Sequence, residues 1–149
     1  MPNKKSRAVA SGLVFALTGL LTMITFILSD CNRSFQSCIA SGDELFIPAI
    51  IGAGLAGMLF FTMFGRVGLN GWLLAAAGAV LTTGVGAMIA VVALSILGNE
   101  NLLSDPAAVL FGPVVIVMMF DQNPVSIPIW IAIMAGAHLI LRRGFQANT

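Results

Sequence analysis

Charge is scarce in this sequence. Only 9% of its 149 residues are Asp, Glu, Lys or Arg, against roughly 25% in soluble domains. The shortage is concentrated, because residues 8–29, 45–64, 72–97 and 106–120 contain no charged side chain at all. Three of those four runs exceed the roughly 18 to 20 residues that cross a hydrocarbon core. With 58% hydrophobic residues, the composition is that of a membrane protein, and the expected fold class is an all-α, polytopic membrane helical bundle forming one unit over residues 1–149. The formal net charge of +1, with no basic cluster beyond "NKKSR" and "LRR", excludes a nucleic-acid partner.

The lack of carboxylates also disposes of a misleading motif. "GAGLAG" at 52–57 matches the dinucleotide fingerprint G-x-G-x-x-G, and the preceding "FIPAII" could pass for a buried strand. That fingerprint needs a polar loop where its helix starts and an acidic residue about 20 positions on to hold the ribose. No Asp or Glu occurs between Glu44 and Glu100. Gly52, Ala53, Gly54, Ala56 and Gly57 are instead read as small residues that let another helix approach.

Histidine and cysteine are scarce too. Two cysteines, Cys31 and Cys38, with no histidine or further cysteine nearby, do not make a structural zinc site. Their spacing is not the C-x-x-C of thiol oxidoreductases. They flank "NRSFQS" between the first two apolar runs, and the expectation is a disulfide clip in an oxidising compartment. The residue before Cys31 is Asp30, where a lipoprotein cleavage box requires a small one, so lipidation is not expected. The first apolar run, of about 20 residues, is longer than the 7 to 15 of a signal h-region and reads as an uncleaved anchor.

What is present is helix. Expected segments are about 8–29, 45–64, 72–97, 106–120 and 126–142, with Pro48 in the first turn of the second and Ser104 or Asp105 capping the fourth ahead of Pro106. The segment 106–120 would be only about 21 Å long, and "DQNPVSIP" then breaks the chain with two prolines. Four crossings put Lys4, Lys5, Arg7, Arg66, Arg142 and Arg143 on one side, six of the seven basic residues. Five crossings would separate the last two. The positive-inside rule therefore favours four transmembrane helices in the bacterial inner membrane with both termini cytoplasmic. Segment 106–120 is then expected to be re-entrant or buried against a partner, since it has no polar face with which to lie flat, and "DQNPVS" to be an outer-surface loop. Trp72 and Trp130 are expected near opposite interfaces.

Small residues recur at helical spacing on three segments: Gly12, Ala16 and Gly19 on the first, Ala53 and Gly57 on the second, and Ala79, Gly86 and Ala90 on the third. Such seams signal close helix packing. Thr18, Thr22, Thr25 and Ser29 form a hydroxyl stripe on one face of the first helix. These hydroxyls can line a pore, but they more commonly bond their own helix's carbonyls or a neighbouring helix. With Asp121 and His138 they are the candidates for a polar pathway. His138, the only histidine, lies four residues before Arg142. There it is read as a neutral group reaching headgroups or another helix, with haem ligation as the sharper alternative.

No catalytic or metal-binding constellation is visible and no cofactor is expected. Phe60, Phe61, Met118, Met119 and Phe120 leave room for a bound lipid, quinone or pigment. The expected function is an accessory or scaffold subunit of a larger membrane complex, with lipids and other transmembrane subunits as partners. The alternative is a small homo-oligomeric transporter or channel using the threonine stripe and the broken 106–128 segment.

Overall fold

Backbone N–H and C=O groups in lipid must bond within their own segment or within a closed barrel, and runs this apolar and this long meet that demand as helices. The computed structural model describes residues 4–29, 35–97 and 106–146, and the side chains of 4–28, 45–97 and 107–145. Among the described residues there are five α-helices: α1 (Lys4–Ser29), α2 (Phe35–Leu59), α3 (Gly68–Leu97), α4 (Pro106–Gln122) and α5 (Ser126–Gln146). A 3-10 turn at Phe61–Met63 follows α2. Three helices are long and apolar enough to cross a membrane, over Lys4–Leu28, Gly68–Leu97 and Ser126–Phe145. They mark the chain as an integral membrane protein.

Several boundaries differ from those that charge alone suggested. The second helix runs Phe35–Leu59 instead of 45–64, because Asp43 and Glu44 limit an apolar run without stopping a helix. Pro48 consequently lies inside α2 rather than in its first turn, and Cys38 is in the helix rather than in a loop. The bridge expected between Cys31 and Cys38 lies outside the described residues. Elsewhere, α1 and α3 each begin four residues earlier than expected, α4 continues to Gln122, and α5 continues to Gln146.

Lipid tails are as apolar as leucine, so helices in a membrane associate by close packing more than by hydrophobic expulsion. The order of packing, α5 on α1 on α2 on α3 on α4, follows where backbones can approach. A Cβ added at Gly12 would lie 2.6 Å from Met58 Cγ and 3.1 Å from the Gly54 carbonyl oxygen, and one added at Gly54 would lie 3.3 Å from Ala16 Cβ. One at Gly19 would lie 2.6 Å from Ala53 Cβ, and one at Gly57 would collide with Phe15. Ser11 Oγ donates to the Gly57 carbonyl at 2.9 Å across the same interface. Between α2 and α3, Gly52 faces the Gly86 carbonyl and Ala90, while Ala79 is buried further along α3.

One end of the bundle collects the basic residues. The Arg7 guanidinium lies 4.1 Å over the Phe145 ring, and Gly65, in the α2–α3 turn, backs onto Leu141 and Phe145. These contacts bring the start of α1, the end of α2, the start of α3 and the end of α5 together, and with them Lys4, Lys5, Arg7, Arg66, Arg142 and Arg143. Gly65 has φ +76°, a left-handed conformation that glycine adopts without strain, and a Cβ there would also strike Phe145. The turn folds Phe64 back between the helices. Phe15 and Phe64 are each 0% exposed, with ring centroids 4.5 Å apart, and Ala75, Ala137 and Leu141 complete the cluster.

Helix α4 behaves differently. Gly112 is pressed on the α3 backbone, where a Cβ would lie 2.7 Å from the Ala87 carbonyl oxygen and 2.9 Å from the Met88 nitrogen. The Phe120 ring reaches Phe26 of α1 at 5.6 Å and Trp130 of α5 at 5.7 Å between centroids. Ala87, Met88 and Phe26 all belong to the half of the bundle away from the basic end. Leu110, Phe111, Val117 and Met118, on the other face of α4, are exposed. The turn into α5 is closed by Ser126, whose hydroxyl donates to the Asn123 carbonyl at 2.6 Å, and Asp121 and Gln122 are exposed beside it.

Candidate functional site

The small residues that draw α1, α2 and α3 together carry too little volume to fill the space where α4 and α5 arch over them. A cavity of about 270 Å³ results, walled by all five helices. Phe15, Thr18, Thr22 and Phe26 contribute from α1, Pro48 and Ala53 from α2, and Thr82, Thr83, Ala90 and Val91 from α3. Helix α4 adds Gly112, Val115, Ile116 and Met119, and α5 adds Trp130 and Met134.

The wall contains hydroxyls, yet they do little to make it polar. Thr18 Oγ1 donates to the Phe15 carbonyl at 2.8 Å, and Thr83 Oγ1 accepts the Trp130 indole N–H at 3.2 Å. The hydroxyls of Thr22 and Thr82 are buried without a partner. A buried water needs two to four polar partners, and this wall turns almost no polar surface toward the cavity, because the Thr22 and Thr82 hydroxyls are buried away from it. The wall therefore favours an apolar filling.

Among its described wall residues only Leu45 and Val115 are exposed. The opening is therefore framed by hydrocarbon as well. Trp130, in the first turns of α5, is half-buried in this wall with its N–H bonded to Thr83.

The candidate pathway residues do not converge, and none bonds another. Thr25 turns back to the Leu21 carbonyl at 2.8 Å and Asp121 is exposed. His138 stands apart near the basic end, 0% exposed. Its Nδ1 accepts the Gly65 N–H at 3.3 Å, its ring lies 4.6 Å from that of Trp72, and its Nε2 has no partner. This is the geometry of a side chain that holds the α2–α3 turn. His138→Leu keeps the bulk but removes the acceptor, leaving the Gly65 N–H unsatisfied, and is expected to destabilise the fold by about 1 to 3 kcal/mol. Unfolding in mixed micelles would measure it, and an unchanged midpoint would take His138 out of that role.

Among the described residues no group of three or more His, Cys, Asp or Glu side chains gathers as a metal site. Asp30, Glu100 and Asp105, with the side chains of Asp43 and Glu44, lie outside them. Among the wall residues that sequence reasoning missed are Gly112, Val91 and Met134, and Trp130 reads there only as an interfacial residue. Gly112 carried a signal, as the one glycine of α4. No protein-family model, curated protein or solved structure matches the chain.

Proposed function

We propose that the protein is an accessory or scaffold subunit of a larger membrane complex, crossing a bacterial inner membrane four times, through α1, α2, α3 and α5, with both termini cytoplasmic. Six basic residues at one end of the bundle support that orientation under the positive-inside rule. The observation that carries the functional reading is α4. It touches the bundle chiefly through α3 in the half away from the basic end, and it leaves Leu110, Phe111, Val117 and Met118 bare. A helix with no polar face is not suited to the interface, and a neighbouring transmembrane subunit would cover it.

The homo-oligomeric channel or transporter receives less support, since Thr18 and Thr25 hydroxyls are committed to carbonyls of their own helix. Purification of the untagged chain's complexes in mild detergent, followed by native mass measurement, tests the proposal. Foreign membrane subunits in fixed stoichiometry are expected, and their loss in Phe111→Asn would locate the contact on α4. A homo-oligomer that conducts solute in liposomes would favour the alternative, and a bare monomer from the native membrane would refute both.

A further inference from the structure

We infer that the cavity between α1, α2, α3, α4 and α5 is a binding site for one hydrocarbon chain, acyl or isoprenyl, of a membrane lipid. Three observations support it independently of any protein partner. The cavity sits within helices apolar enough to lie at bilayer depth. Its surface is almost wholly apolar, with Thr18 and Thr83 hydrogen-bonded and the unpartnered Thr22 and Thr82 hydroxyls buried away from it, which favours hydrocarbon over a polar solute. Its two exposed wall residues, Leu45 and Val115, are apolar, so a chain can enter sideways from the bilayer without meeting a polar barrier.

The chemistry selected is a flexible, unbranched or methyl-branched chain. Phe120 meets Trp130 edge to face and Phe26 at a tilt, and Phe26 and Trp130 form part of the wall. Aromatic faces and the Met119 and Met134 thioethers adapt to a hydrocarbon of variable shape. The polar end of the lipid would remain outside the wall described here.

The test uses the whole chain purified in a mild detergent. Native mass spectrometry is expected to show one retained lipid per chain, and extraction with fragmentation identifies the source, phospholipid or isoprenoid quinone. Val91→Phe puts a ring into the cavity and is expected to abolish the adduct while far-ultraviolet circular dichroism stays helical. Adduct retained in Val91→Phe, or no adduct in the wild type, would overturn the inference.

A second measurement does not depend on Val91→Phe folding. Trp72→Phe leaves Trp130 as the single indole. After exchange with phospholipid brominated along its acyl chain and removal of bulk lipid, Trp130 emission is expected to be quenched, with acrylamide ineffective. Acrylamide quenching without bromolipid quenching would mean a water-filled cavity and would overturn the inference by itself.

Discussion

Gly52→Ala is expected to destabilise the bundle by about 3 kcal/mol, the upper part of the usual range for overpacking, although it adds a single methyl group. The new Cβ would run into the Gly86 carbonyl oxygen and lie 2.9 Å from the Ala90 nitrogen. Both are backbone atoms of α3 and cannot rotate away as a side-chain tip can. The two helices would have to separate, and in lipid no hydrophobic force between them compensates for the lost contact. Gly84→Ala is the control on the same helix pair. Nothing lies within 4 Å of a Cβ at Gly84, so the better helix propensity of alanine should stabilise the fold by roughly 0.5 to 1 kcal/mol. Unfolding of both variants in mixed micelles, followed by circular dichroism, gives the comparison. Effects of the same sign would mean that α2 and α3 do not meet at Gly52.

Phe64→Ala has a comparable expected cost, about 3 kcal/mol, at the lower end for removing a buried phenylalanine because lipid, unlike water, also solvates hydrocarbon. Phe64 is 0% exposed although it follows the end of α2, and Gly78 of α3 supplies the space for it. A Cβ at Gly78 would come within 2.9 Å of its Cζ. Truncation would leave Phe15 facing a void in the one cluster that joins α1, α3, α5 and the α2–α3 turn. Phe64→Leu should recover most of the loss. If Phe64→Ala unfolds at the wild-type midpoint, the turn does not fold back between the helices.

The helices were legible because a lipid-facing segment must be apolar around its whole circumference, so charge-free runs could be counted directly. Boundaries were less legible for the same reason. Charge marks where a segment can leave hydrocarbon, whereas a helix ends where its hydrogen bonding ends, and α2 accordingly begins at Phe35, well before the uncharged run starts at Leu45. The small residues announced that backbones would meet, but they are so frequent here that the pairing of Gly52 with Gly86, or Gly19 with Ala53, could not be chosen from spacing.

The candidate site was the least legible part. Threonines at three- and four-residue spacing look like a polar lane, yet a hydroxyl's destination depends on rotamer and neighbour. In the fold Thr18 and Thr25 turn to their own carbonyls. Trp130 reads from sequence as an interfacial residue, and nothing in its spacing announces that its N–H bonds Thr83, 47 positions away. His138 offered either a ligand or a packed side chain, and only the fold brings its Nδ1 to the Gly65 N–H, 73 positions away.

From the order of its residues alone, the chain was bound to be helical, apolar enough for lipid and basic at one end, since these follow from composition and from distances along the polymer. Which seams face each other, where α4 leans and that a hollow of about 270 Å³ lies beneath it were decided only in three dimensions. A void is a property of what several helices jointly fail to fill, and no single segment encodes it.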